Sequence, residues 1–317
     1  MDLQLIFYLF FWYLLNYYYN LQNKRASNAA DGITYIMILS VIQLSVGVIY
    51  SGFLWLAPDA RKPPKLTKDD FRKMVPSGFL MAGAHAASVF SLAAGEVAFA
   101  QIVKAAEPAF TAVISCFIYG KTLSTARWLC LIPIIAGVAI AALKVNTTTG
   151  AVDFNFTYGS LIGAAVSNLF AAFKSNEIKR LMGTPGIKDR LGSAGNQFAV
   201  QTFIATLMLV PLMVYKEWHL IPEFMTRFQS NSELSSNLLL SGLTFYIYNE
   251  LACYTLTKVS AITQSVANTA KRVVVIVGSA IVFNESISGL KAAGCFICIA
   301  GVFLDSIIDD LLKPKDS

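Results

Sequence analysis

The chain has 317 residues, of which 56% are apolar and only 14% charged, and its mean hydropathy is +0.58. Soluble domains carry about 25% charged residues; no polar block here is large enough to form one, so the composition implies a single polytopic membrane domain over 1–317. The net charge of +6 and a pI near 9.0 reflect basic loops rather than nucleic-acid binding. There is no zinc spacing, no RNA-binding aromatic motif and no basic helix long enough to enter a groove.

A bilayer core takes about 20 apolar residues per helix. Breaks at charged or Gly/Pro-rich segments give about ten predicted spans. They lie near 3–22, 33–57, 74–93, 97–119, 126–144, 157–178, 195–215, 236–256, 260–283 and 289–311. The apolar, aromatic stretch Met1–Leu21 has no basic n-region and no small-residue cleavage site before Lys24. It reads as the first membrane helix, not as a signal peptide, and no transit peptide is recognised.

The basic residues sort by side. On the face that holds the N-terminus, called X here, lie Arg61, Lys62, Lys65, Lys68, Arg72 and Lys73, then Lys121 and Arg127. Lys179, Arg180, Lys188, Arg190, Lys258, Lys313 and Lys315 follow on the same face. The opposite face, Y, has only Lys24, Arg25, Lys144, Lys216, Arg227 and Lys291. The positive-inside bias puts face X, with both termini, on the side of synthesis.

The five cysteines all fall within predicted spans. Cys295 and Cys298 form a C-x-x-C inside an apolar helix, which reads as small residues at a helix contact rather than metal or redox chemistry. No metal or cofactor is expected.

An internal repeat is visible. Gly-Lys-Thr-Leu-Ser (120–124) followed by Ile-Ala-Gly-Val (135–138) is echoed by Asn-Glu-Ser-Ile-Ser (284–288) followed by Ile-Ala-Gly-Val (299–302). Repeats over 1–150 and 151–317 would each hold five spans, and an odd number inverts the second copy in the membrane. The expected fold is therefore all-α, about ten transmembrane helices in two inverted five-helix repeats. In the same register Lys104 maps onto Asn268, Glu107 onto Lys271, Pro108 onto Arg272 and His85 onto Asn249, so polar positions correspond between the halves.

Lys104, Lys271 and Arg272 fall well inside predicted spans, where a charge is costly unless it faces a polar cavity or a partner. Snorkelling rescues lysine only near a helix end. Lys271 and Arg272 point roughly 100° apart and can flank one cavity. An ammonium point charge and a guanidinium fork together suit phosphate. Glu107, one turn from Lys104, offers internal ion pairing instead, but one acid cannot balance three cations. His85 and Ser88 share a face of the third span, and Tyr248 and Asn249 lie in the eighth. They suit the hydroxyl or carbonyl end of a small substrate, or else are core polar groups. Lys174, near the end of the sixth span, is explained by snorkelling or a gate contact, and His219 lies in a long loop. No nucleophile–base pair, paired carboxylates or phosphate-cradling glycine loop emerges, so an enzyme is not expected.

Several motifs together resemble the plastid triose-phosphate/phosphate translocator family, of the drug/metabolite transporter superfamily. They are Phe11-Trp12-Tyr13 with Asn16, Asn20 and Asn23-Lys24; Ser40-Val41-Ile42 and Val46-Gly47-Val48; Lys104-Ala-Ala-Glu107-Pro108; and Tyr248-Asn249 with Asn268-Thr-Ala-Lys271-Arg272-Val-Val-Val-Ile276. The resemblance implies that Lys104, Lys271 and Arg272 hold a phosphate with Ser88 beside them, while His85 and Tyr248 read the rest of the substrate. His85 with Ser88 resembles the triose-phosphate and 3-phosphoglycerate branch. Ala100-Gln101 departs from the plant-type Thr-His, and Glu-Pro-Ala-Phe (107–110) is closer to the hexose branch. The expected activity is exchange of inorganic phosphate for triose phosphate or 3-phosphoglycerate across a plastid (inner) envelope membrane by alternating access. A hexose-phosphate or phosphoenolpyruvate/phosphate antiporter, or a nucleotide-sugar carrier, are the alternatives on the same fold, and an anion channel is the rival of another class. The partners implied are inorganic phosphate, small phosphorylated metabolites and membrane lipid.

Overall fold

The polar stripe of the first helix shows how the chain is built. In the computed structural model, α1 (Leu3–Ala29) turns Phe7, Phe10 and Tyr18 outward. It buries Asn16, Asn20, Asn23 and Ser27, spaced three or four residues apart, on the opposite face. Where lipid cannot solvate polar groups, such a stripe must face other helices. Asn20 accepts from Gln101 at 2.7 Å and Asn23 from Gln43 at 3.0 Å, and Gln43 also donates to Ser241 at 2.8 Å. The structure describes residues 3–145, 152–154, 156–259, 261–285 and 287–311.

After α1 come α2 (Ile36–Leu56), α3 (Lys68–Ala94), α4 (Val97–Ala105), α5 (Glu107–Phe117) and α6 (Thr125–Ala141). A short antiparallel hairpin, β1 (Leu143–Val145) and β2 (Val152–Phe154), leads into α7 (Tyr158–Met182) and a single turn, α8 (Ile187–Leu191). The chain continues through α9 (Ala194–Glu217), α10 (Ile221–Ser230), α11 (Ser232–Lys258), α12 (Ala261–Phe283) and α13 (Gly289–Leu311). With α4 and α5 counted as one broken span, these segments supply the ten expected spans. Among the described residues, five helical stretches are long and apolar enough by composition to cross a membrane: Ile36–Leu56, Lys68–Ala94, Val97–Phe117, Ala194–Ser230 and Gly289–Ile308. Helices with inward polar stripes, such as α1, dilute that signal.

Three local features differ from the sequence expectation. First, Lys104 does not sit deep in an unbroken helix. It lies in the last turn of α4, because the helix breaks at Ala106. Pro108 has no N–H to give the Lys104 carbonyl and favours the first turn of a new helix. Second, the stretch after α9 is not a loop. Trp218–Leu220 forms a 3-10 turn that contains His219, and α10 follows with Pro222 in its first turn. Phe224 anchors α10, its ring 5.4 Å from that of Tyr35. Third, the β1–β2 hairpin interrupts an otherwise helical chain. The side chains of Lys144 and Lys258, and Lys313 and Lys315 entirely, lie outside the described residues, as does Ser286 of the repeat motif.

The main helix pairings are α1 with α11, α3 with α7, α6 with α13 and α2 with α9, with α3/α9 and α2/α11 crossings beside them. Exchanging the two halves span for span carries α1/α11 onto α7/α3 and α3/α9 onto α11/α2. It maps α2/α9, α6/α13 and the pairing of α12 with α4 onto themselves. The α6/α13 crossing is made by the two Ile-Ala-Gly-Val motifs. A Cβ on Gly137 would lie 2.4 Å from the Cys298 backbone N, and one on Gly301 would lie 2.9 Å from the Ile134 backbone N. Close backbone approach at small residues is how helices associate in lipid. Cys298 is thus a packing residue, as its spacing suggested.

The expected result of Gly137→Val or Gly301→Val is loss of stability by at least the ~1–3 kcal/mol typical of overpacking, read as a lower melting temperature of the detergent-solubilised protein. Unchanged melting in both variants would contradict this crossing.

Candidate functional site

The α4–α5 break, the paired cations of α12 and one face of α3 converge on a cavity of about 700 Å³ at the centre of the bundle. All six residues singled out by sequence line it: His85, Ser88, Lys104, Tyr248, Lys271 and Arg272.

Lys104 leaves the end of α4 and donates from Nζ to Ser88 Oγ at 2.7 Å. Ser88 is one turn along α3 from His85, as their spacing requires. The His85 ring is buried with its centre 4.3 Å from that of Phe245. Neither of its nitrogens has a hydrogen-bond partner among the described residues. A buried polar group without a partner is costly, so His85 has hydrogen-bonding capacity to offer an occupant of the cavity. Tyr248 approaches from α11, its ring 5.5 Å from Tyr19 and 5.7 Å from Phe245. Asn249, beside it, also lines the cavity, but its amide donates to the Phe245 carbonyl at 2.8 Å.

Adjacent residues on a helix diverge by about 100°, and Lys271 and Arg272 do so. Lys271 Nζ stands 4.9 Å from the centre of the Trp12 ring on α1. The Arg272 guanidinium pairs with Glu107 Oε2 at 3.1 Å across the cavity, at the first residue of α5. Glu107 therefore forms its ion pair with Arg272 and not with Lys104, its neighbour in sequence. A cation over an indole face gains ~0.5–2 kcal/mol or more when desolvated, which positions Lys271 without cancelling its charge.

Further cations extend the site. Lys174 on α7 lines the cavity and makes no hydrogen bond or ion pair among the described residues. Sequence reasoning left it to snorkelling or a gate contact, because it lies near the end of the predicted span 157–178, whereas α7 runs on to Met182. Lys121, Arg127 and Lys179 line the part that reaches face X. Among the described residues the only acidic groups lining the cavity are Glu107 and Asp305, and Asp305 lies 3.5 Å from Arg127. Seven cationic side chains thus meet two acidic ones. Trp12 and Asn16, also on the wall, were not singled out in sequence as site residues, since an aromatic run in a first span reads equally as lipid-facing.

Towards face Y the cavity ends at the Asn20–Gln101 hydrogen bond. Beyond it the helix ends interlock. Lys24 Nζ donates to the carbonyls of Leu92 at 2.9 Å and Gly95 at 2.7 Å, satisfying the C-terminus of α3. The Glu285 carboxylate accepts from the Val97 and Ala98 amides at 2.7 and 2.9 Å, capping α4 from another helix. Buried Lys291 pairs with Glu96. A separate cavity of about 670 Å³ lies on the Y side of this closure.

No group of three or more His, Cys, Asp or Glu side chains that could hold a metal ion occurs among the described residues. The chemistry on offer is recognition of an anion with a polar, uncharged portion. Nothing in the cavity is arranged as a nucleophile with its base.

Comparison with known proteins agrees with this reading. The Triose-phosphate Transporter family model matches residues 3–306. The triose phosphate/phosphate translocator of Flaveria trinervia chloroplasts is 32% identical over 98% of this chain and 72% of its own length. The phosphoenolpyruvate/phosphate translocator 3 of Oryza sativa subsp. japonica is 32% identical over 96% and 74%. The glucose-6-phosphate/phosphate translocator 1 of Arabidopsis thaliana is 30% identical over 93% and 72%. One crystal structure superposes with a TM-score of 0.54 at 15% identity, over 95% of this chain and 98% of that one, a likeness of fold alone. A charge-lined cavity inside a ten-span helical bundle, with a full-length family match, makes this chain a multi-pass integral membrane transporter, not an enzyme, and a member of the Triose-phosphate Transporter family, whose members carry phosphate and phosphorylated metabolites.

Proposed function

We propose that the protein exchanges inorganic phosphate for triose phosphate or 3-phosphoglycerate across a plastid-type envelope membrane, by alternating access between two inverted repeats, 1–150 and 151–317. The observation that carries this reading is the convergence of Lys104 from one half with Lys271 and Arg272 from the other on a single buried cavity. Only Arg272 of these has a carboxylate partner. A phosphate group carries about −1.5 to −2 charges near neutral pH and fits the deficit left by Lys104 and Lys271. His85 and Tyr248, on the aromatic side of the cavity, are placed for the uncharged hydroxyls or the carbonyl of a three-carbon backbone. The helix pairings that exchange with the two halves, and the matched glycines Gly137 and Gly301 at one crossing, support the repeat assignment.

The exchange mechanism follows from electrostatics. With the cavity empty, closing both ends would confine unpaired cations in a medium of low dielectric, where repulsion and desolvation are strong. Cargo removes that cost, so the protein passes between its open states only when loaded. One end of the cavity reaches face X and the other is closed by the contacts of Lys24, Glu285 and Glu96–Lys291, the arrangement expected of one such state. Relatives named for triose phosphate, phosphoenolpyruvate and glucose 6-phosphate are about equally similar. His85 with Ser88 favours triose phosphate and 3-phosphoglycerate.

In proteoliposomes, phosphate uptake is expected only when the lumen holds phosphate or a counter-substrate. Triose phosphate and 3-phosphoglycerate are expected to exchange faster than phosphoenolpyruvate or glucose 6-phosphate. Equal uptake into empty vesicles would end the antiport reading, and competition by nucleotide sugars would favour that carrier class instead.

Lys271→Gln is expected to abolish exchange without lowering the melting temperature of the empty protein, because it removes an unpaired charge. Arg272→Gln is expected to abolish exchange and also to destabilise modestly, since Glu107 loses its partner. Unfolding of Lys271→Gln, or transport surviving in it, would contradict the assignment.

A further inference from the structure

The cation count of the central cavity is not spread evenly, and its outer part is not needed to hold one phosphate group. Lys104, Lys271 and Arg272 form the deep cluster. Lys121, Arg127 and Lys179 surround the mouth on face X, and Lys174 lies between the two groups on the wall. Lys174 and Lys179 are five residues apart on α7, so they are separated by ~7.5 Å along the helix axis. That is close to the ~8 Å Debye length at physiological ionic strength. Lys174 also stands within electrostatic reach of Lys104, so it links the mouth to the deep cluster.

The groups at the mouth are only partly compensated. Arg127 has Asp305 beside it at 3.5 Å. Glu177 is nearby but is engaged by the Tyr119 hydroxyl. Lys121 Nζ donates to the neutral Asn176 Oδ1 at 2.8 Å. Lys179 is exposed and has neither a hydrogen bond nor an ion pair among the described residues. Lys179, Lys121 and Arg127 stand within electrostatic reach of one another.

Face Y is built differently. Among the described residues the cavity there is lined by one cation, Lys24, and two carboxylates, Glu96 and Glu285. Lys291, next to it, is paired with Glu96. An anion approaching from Y meets matched charges, and one approaching from X meets an excess of positive charge.

We infer that Lys121, Lys179 and Lys174 form an outer anion site on face X, a staging post that captures phosphate and phosphate esters and passes them inward, with no counterpart among the described residues of face Y. This rests on the anion-exchange reading above and adds to it a kinetic difference between the faces. A cleft lined by one sign of charge raises the local concentration of oppositely charged ligand and its on-rate, and does so less as salt rises. The outer site leaves the overall equilibrium of the exchange untouched and changes the concentration at which each face half-saturates.

The experiment measures initial rates of phosphate exchange from each face separately, in vesicles sorted by orientation, at low and high ionic strength. The half-saturating phosphate concentration on face X is expected to be the lower of the two at low salt, and to rise several-fold with salt while that on face Y barely moves. Lys179→Gln and Lys121→Gln are each expected to raise the X-side value about two- to threefold, more than they lower the saturating rate, and to flatten its salt dependence. Lys179→Arg is expected to behave as the parent protein. Lys179→Gln, on an exposed unpaired side chain, guards against a folding artefact at Lys121, which bonds Asn176. Equal salt dependence on both faces, or variants that shift both faces alike, would overturn the outer site while leaving the exchange reading intact. Absence of any phosphate exchange by the parent protein would overturn both.

Discussion

Unpaired positive charge held inside the membrane is the constraint around which the rest of this structure is arranged. Among the described residues Lys104 has only the Ser88 hydroxyl and Lys271 only the face of Trp12, while of the three Arg272 alone reaches a carboxylate, that of Glu107. Burying charge without a matching countercharge works against folding. The surrounding helices meet that cost with features that hold the bundle together elsewhere: interhelical amide bonds along α1, backbone contact at Gly137 and Gly301, and helix ends satisfied by Lys24 and Glu285 from other segments. On the exchange reading proposed above, a mobile anionic partner completes the balance at the centre.

The two basic residues of α12 divide the work through helix geometry. Their divergence sends one to an aromatic face on α1 and the other to the acid that opens α5. Arg272 is thereby tied to the α4–α5 break, while Lys271 lines the cavity without a carboxylate partner among the described residues. The break exists because Pro108 cannot continue α4. It places the Lys104 side chain at the end of a half-helix, beside the cavity, instead of midway along a continuous one. Discontinuous helices at the centre of the membrane are a recurring way for transporters to bring polar groups to a substrate.

Much of this was legible in the sequence. The apolar runs marked most span ends to within four residues, since lipid leaves the backbone few alternatives to helix, while α1 runs seven residues further at its end and α3 begins six residues earlier. The placement of Lys104, Lys271 and Arg272 inside predicted spans pointed to a cavity, because charge there requires a reason, and the three line one. His85 and Ser88 were found by their shared face. What was not legible depends on which helices meet. Nothing local to Glu107 says that it pairs with Arg272, 165 residues away, and not with Lys104. Trp12 sits in an aromatic run whose lipid-facing and inward residues look alike until α12 is placed beside it. Lys174 was discounted because distance from a helix end suggests snorkelling equally well in a wall and in a lipid-facing side. Pro108 and Pro222 were visible signals for the helix break and for α10, and each marks a helix start once its neighbours are considered.

The most direct test is the melting temperature of the purified protein with inorganic phosphate added at constant ionic strength. A ligand present at 100 times its dissociation constant stabilises by about 2.7 kcal/mol. The expected result is a melting temperature that climbs as phosphate is titrated in, and that stays flat in Lys271→Gln. No rise in the parent protein, or an equal rise in the variant, would mean that these cations are not the groups that cargo neutralises.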